Sequence, residues 1–94
     1  MDHSRARLAL FEALKVGARS GFNQEKRRQF LDGASNFLLA DLDMDSLGEM
    51  EFCIAIELST GITLLPSQLA ELASTAAIEH FIRERLGEHK GSGG

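Results

Sequence analysis

Asp41-Leu42-Asp43-Met44-Asp45-Ser46-Leu47-Gly48-Glu49-Met50-Glu51-Phe52 is where the chain changes character: three aspartates at alternate positions run straight into an apolar segment of helical period. From there Leu47, Met50, Ile54 and Leu58 follow at spacings of three, four and four, which places side chains on one side of an α-helix. Phe52 and Ile56 add a second apolar stripe, so the helix expected over Ser46–Ser59 is apolar on more than one face and belongs inside a helical fold. Gly61 is expected to end it. On the other side, Asn36–Met44 mixes Phe37, Leu38, Leu39 and Leu42 with Asp41 and Asp43, and reads as a loop pinned to the core.

Working outward, Leu8, Phe11, Leu14 and Ala18 recur at helical spacing and predict a first helix over Ser4–Ser20, which Gly17 and Gly21 weaken or stop. A short polar helix is expected over Gln24–Leu31, with Asn23 as its cap and Asp32-Gly33 as the turn after it. Beyond Gly61, Pro66 and Ser67 open a short helix to about Leu72. Ser74 or Thr75 then caps a last helix bearing Ile78, Phe81, Ile82 and Leu86. No segment alternates like a strand and no repeat is visible, so the expected fold is all-α, a small bundle of four principal helices with an extended N-terminal helix and loop region. Residues 1–86 are expected to form a single domain, and residues 87–94, ending Gly-Ser-Gly-Gly, a flexible tail.

Composition limits what such a bundle does. Ninety-four residues with 44% apolar and 26% charged side chains fit one small globular domain, too small to enclose a deep substrate cavity with a separate catalytic shell. A lone cysteine, Cys53, cannot pair within the chain and points to a reducing, cytoplasmic setting. The longest apolar run, Phe52–Ile56, is far short of a membrane span. Met1–Phe22 is amphipathic and carries Arg5, Arg7 and Arg19, but Asp2 and Glu12 argue against an organelle transit segment. The net charge of −4 is unevenly laid out: residues 1–30 hold seven Lys/Arg and three acids, whereas residues 31–82 hold nine acids and no Lys or Arg. A foldable acidic body of this kind attracts cationic protein patches and repels nucleic acid. Lys26-Arg27-Arg28 is too short and lacks the aromatic residues of a nucleic-acid site, so it reads as a solvated helix face.

The tract 41–47 has three readings. Asp41, Asp43 and Asp45 match the first three ligand positions of a calcium-binding EF-hand loop, but Ser46 stands where the loop needs glycine and Phe52 where it needs a bidentate glutamate. Asp45 or Ser46 is equally suited to cap the helix that follows. The third reading makes Ser46 a target of another enzyme. With no His or Lys nearby in sequence to act as its base, it is a poor nucleophile in its own right. A helix N-terminus, however, offers unpaired N–H groups and a positive dipole end that stabilise an attached phosphate.

Asp45-Ser46-Leu47, the preceding Leu39-Ala40-Asp41-Leu42, the following Glu49-Met50-Glu51-Phe52, and Gly61-Ile62 ahead of a proline-opened short helix together resemble an acyl carrier protein over about Leu31–Leu86. The resemblance implies that Ser46 receives 4′-phosphopantetheine from coenzyme A through a phosphodiester, and that Asp45 helps to position the metal of the phosphopantetheinyl transferase. It further implies that Leu47, Met50 and Ile54, with Glu49, Glu51 and Glu57 beside them, dock basic patches on acyl-loading, synthase or acyltransferase enzymes of fatty-acid, lipid or polyketide type. Such a carrier is not an enzyme and is expected to be monomeric. It holds thioesters at high effective concentration for each partner, and burying an alkyl chain gains about 0.8 kcal/mol per CH₂. Phe52, Ile56, Ile62 and Ile78 are the candidates to line an acyl pocket, with plain core as their other reading. The glycine pair that precedes the serine in peptidyl carriers is missing, which favours an acyl over an aminoacyl or peptidyl cargo. An unmodified bundle of carrier shape, serving as an interaction subunit, is the reading outside the class. Gly48 stands where the family usually has an acid, and the basic first helix and the segment Gln24–Leu31 are longer than usual, which points to a specialised carrier.

The remaining chemistry is sparse. Cys53 sits in an apolar run without a nearby base and reads as a small hydrophobe. His3, His80 and His89 are too far apart in sequence for metal-ligand spacing.

Overall fold

Residues 5–33 and 36–87 are described by a computed structural model. They form α1 (Arg5–Ala18), α2 (Gln24–Leu31), α3 (Ser46–Thr60), α4 (Pro66–Leu72) and α5 (Thr75–Leu86), with 3₁₀ turns at Arg19–Gly21 and Leu39–Leu42. The domain is mostly helical, and among the described residues the only strand-like feature is an isolated antiparallel bridge between Leu38 and Ser74. The all-α expectation therefore holds, and each of the five helical segments expected from sequence is an α-helix. Gln24–Leu31 is a full helix because the Asn23 side chain accepts from the Lys26 N–H at 2.9 Å and caps it. Ser4, His3, His89 and all of the expected tail except Gly87 lie outside the described residues.

The first helix ends at Ala18, one residue after the buried Gly17, and passes into the 3₁₀ turn that Gly21 closes. The buried face of α1 is Ala6, Ala9, Leu10, Ala13, Leu14, Gly17 and Ala18, and its small residues let α1 pack most extensively on α3 and next on α5. At one crossing the two backbones touch. A Cβ added to Gly48 would stand 2.3 Å from the Gly17 carbonyl oxygen, and one added to Gly17 would stand 2.8 Å from the Gly48 carbonyl oxygen and 2.9 Å from Phe52 Cβ. Glycine at position 48, which helix propensity disfavours by about 1 kcal/mol, is thus what lets α1 sit against the first turn of α3.

The core is one cluster drawing Leu10 and Leu14 from α1, Phe52 and Ile56 from α3, Leu69 from α4, and Ile78 and Ile82 from α5. Phe30 of α2 joins it through an aromatic group, with ring centroids 5.8 Å from Phe11 and 6.0 Å from Phe22, and Phe22 lies 6.3 Å from Phe37. Arg7 locks α1, α2 and α5 together. Its guanidinium lies 4.1 Å above the Phe30 ring, donates to the Phe30 carbonyl, and pairs with Glu79 at 3.0 Å, which also takes Arg83 at 2.8 Å.

The segment before α3 is pinned, as its mixed pattern implied. The Phe37 N–H donates to the Thr75 hydroxyl at 2.9 Å, the Leu39 N–H donates to the Ala73 carbonyl at 2.9 Å, and the Thr75 N–H donates to the Phe37 carbonyl at 2.9 Å. Leu42 is fully buried at the end of its 3₁₀ turn. These anchors fix where α3 starts.

Candidate functional site at the start of α3

Asp43 is left-handed at φ 59°, and this turns the chain out of the 3₁₀ segment toward the α3 N-terminus. Asp45, in extended conformation, is the N-cap. Its carboxylate accepts from the Gly48 N–H at 2.7 Å, and its carbonyl accepts from the Glu49 N–H at 2.9 Å. The sequence left the cap open between Asp45 and Ser46; the structure gives it to Asp45. Ser46, the first residue of the helix, is exposed, and its hydroxyl makes no hydrogen bond among the described residues. With two of the first-turn N–H groups taken by Asp45, those of Ser46 and Leu47 stay open to an acceptor.

Asp41, Asp43 and Asp45 occupy a 3₁₀ turn, a left-handed position and an extended cap, and among the described residues no three His, Cys, Asp or Glu side chains gather as metal ligands.

Below Ser46, one side of α3 is apolar and turned to solvent. Leu47, Met50, Ile54 and Leu58 are 58%, 53%, 52% and 83% exposed. At about 100° per residue, Glu51 flanks this stripe about 40° to one side of Leu47, and Glu57 about 80° to the other. Glu49 does not belong to it. It falls about 200° from Leu47 and lines an open groove of about 480 Å³ together with Leu38, Leu39, Asp43, Met44 and Leu69. The docking residues expected from sequence therefore divide: Leu47, Met50, Glu51, Ile54 and Glu57 share the outward side, and Glu49 faces the groove. Glu51 is already engaged, since Arg19 from the 3₁₀ turn after α1 is ion-paired with it.

The acyl-pocket candidates Phe52, Ile56, Ile62 and Ile78 are all buried members of the core, and none of them lines the groove. Leu38, Leu39, Ala40, Ala70 and Ala73 were not legible as groove residues from sequence because they come from a loop and a helix end without periodicity. Met44 and Glu49, two positions before and three after Ser46, carry the groove up to the serine's own turn. Cys53 is buried, and this burial, followed by the negative charge of Glu49, pushes its thiol above the usual range, away from the reactive thiolate.

Compared with models of known protein families, with curated proteins and with solved structures, the chain matches none.

Proposed function

We propose that the protein is an acyl carrier, modified on Ser46 with 4′-phosphopantetheine. The observation that carries this reading is the division of labour at the start of α3: Asp45 satisfies the helix end, leaving an exposed, unbonded Ser46 hydroxyl beside open N–H groups. That arrangement suits a phosphodiester, because the N–H groups and the helix dipole stabilise its negative charge. In the transfer, the Ser46 oxygen bonds the phosphorus of the phosphopantetheinyl group, the pyrophosphate bond of coenzyme A breaks, the adenosine bisphosphate leaves, and a base of the transferase takes the hydroxyl proton. The thiol of the attached arm would then hold the cargo as a thioester.

Asp45 has a second part in this proposal, positioning the transferase metal with whichever carboxylate oxygen the Gly48 N–H leaves open. The stripe of Leu47, Met50, Ile54 and Leu58, rimmed by Glu51 and Glu57, is suited to partner enzymes whose docking patch is apolar and basic. The protein supplies address and tether, and the partners supply catalysis. The groove that reaches Met44 and Glu49, on either side of Ser46 in sequence, is a place for a cargo to rest. Its lining favours a second reading of the cargo: Asp43 and Glu49 beside Leu38, Leu39 and Met44 suit an aminoacyl group, whose ammonium would meet carboxylates, as well as a short alkyl chain.

Intact-mass spectrometry tests the proposal: the protein is incubated with coenzyme A, magnesium and a broad-specificity phosphopantetheinyl transferase, beside Ser46→Ala. One added phosphopantetheinyl group on the wild type and none on the variant is expected. No addition to a folded wild type by several transferases would favour an unmodified interaction subunit.

A further inference from the structure

The acidic rim of the α3 stripe is weaker than its sequence. Gly48, in contact with Gly17, adds no charge to the first turn, Glu49 turns into the groove, and Glu51 is taken by Arg19. Of the three glutamates Glu49, Glu51 and Glu57, only Glu57 is then both outward and without an ion pair among the described residues. Arg19 reaches Glu51 through a particular backbone. The Gly17–Gly48 crossing holds the end of α1 against α3, and Arg19 adopts φ 48°, a left-handed conformation that disfavours any side chain. Arg19 thus occupies a backbone position better suited to glycine, and from there its side chain pairs with Glu51.

We infer that Arg19 is a specificity-determining residue of the docking face: it occupies Glu51 intramolecularly, so that a basic partner must displace it to use that carboxylate. This rests on the proposed docking role of α3 and adds to it a class of partner. The face selects enzymes whose patch is mainly apolar with its cationic group toward Glu57, and discriminates against those that need a cation at Glu51. Both side chains of the pair are partly exposed, so displacement is feasible and its effect modest.

The test is a double-mutant cycle on Ser46 modification, read as transferase kcat/KM at low salt, with Arg19→Gly, Glu51→Gln and the double variant. Glycine suits the left-handed backbone, so Arg19→Gly should stay folded, as circular dichroism will check. Glu51→Gln is expected to lower kcat/KM by less than about twofold when Arg19 is present, and by about two- to fivefold, through KM, in the Arg19→Gly background. Glu57→Gln should have the same effect in both backgrounds. An equal effect of Glu51→Gln with and without Arg19 would reduce Arg19 to net charge and overturn the inference.

A second measurement needs no transferase. A synthetic amphipathic helix of leucine and lysine is titrated into the labelled proteins and followed by α3 amide shifts. Tighter binding to Arg19→Gly, abolished in the double variant, is expected. If that holds but no transferase modifies Ser46, the carrier reading fails while the Arg19 assignment stands. Peptide binding unchanged by Arg19→Gly, with Ser46 modified normally, would overturn the Arg19 assignment alone.

Discussion

Replacing Gly48 by alanine sets two physical rules against each other. In an isolated helix the change stabilises by about 1 kcal/mol, because alanine loses less backbone entropy than glycine. Here the new Cβ would lie 2.3 Å from the Gly17 carbonyl oxygen and 3.1 Å from Asp45 Oδ1. Ordinary contact needs about 3.5 Å, so α1 and α3 must part by about 1 Å along the most extensive interface in the molecule. Overpacking of this kind costs about 1–3 kcal/mol, occasionally more. The obstacle is backbone rather than the end of a flexible side chain, so the upper part of that range applies, and a net loss of about 2 kcal/mol is expected after the propensity gain. For a domain of this size that lowers Tm by about 10 °C. Thermal and urea unfolding followed at 222 nm will measure it, with Gly17→Ala and the double variant alongside. Once the helices have separated, the second alanine has less left to disrupt, so the double loss should be less than additive. A Tm that rises for Gly48→Ala would refute the backbone contact and leave propensity as the governing term.

Asp45→Ala removes the cap of α3 and should lower stability by about 1 kcal/mol in urea unfolding with an unchanged m-value. Asp45→Asn should retain most of that stability, because asparagine caps nearly as well, yet slow Ser46 modification if the carboxylate charge positions the transferase metal; equal rates for Asn and Asp would limit Asp45 to capping. For Cys53, the raised thiol pKa means that the folded state holds its proton at pH values where the unfolded chain has released it. Its contribution to stability is therefore complete below the unfolded cysteine value of about 8.5 and declines as pH rises through the folded value. Cys53→Ala should flatten the alkaline limb of the stability–pH curve, and a limb that keeps its slope would assign it to other groups.

The parts of the fold that the sequence made legible are those with local causes. Asn23, Ser74 and Pro66 stand where α2, α5 and α4 begin, and Gly61 takes the left-handed position at φ 78° that ends α3. The stripe through Leu47, Met50, Ile54 and Leu58 was visible as spacing; the resemblance put its first three residues outward and Phe52 and Ile56 inward, and the structure exposes the former together with Leu58 and buries the latter. What stayed hidden depends on which helix lies against which. The Gly17–Gly48 contact turns an apparent defect in helix propensity into a packing requirement, and neither glycine announces the other. The Arg19–Glu51 pair depends on that same crossing. The position of Glu49 was readable in principle, since two residues on a helix turn a side chain about 200°. Adjacency in sequence grouped it with Leu47 and Met50, but its angle assigns it to the groove. The groove itself arises from tertiary bonds of Phe37, Leu39 and Thr75, which hold the loop against the α4–α5 junction.

A carrier of the proposed kind has Ser46, and no other hydroxyl, as its attachment point. The most direct measurement is to digest the transferase-treated wild type and locate the added phosphopantetheinyl group by peptide fragmentation, with Asp45→Asn treated in parallel. The whole of the added mass is expected on Ser46, accumulating more slowly in the Asp45 variant. The group found on another serine such as Ser59 or Ser67, or none found on a folded protein, would contradict it.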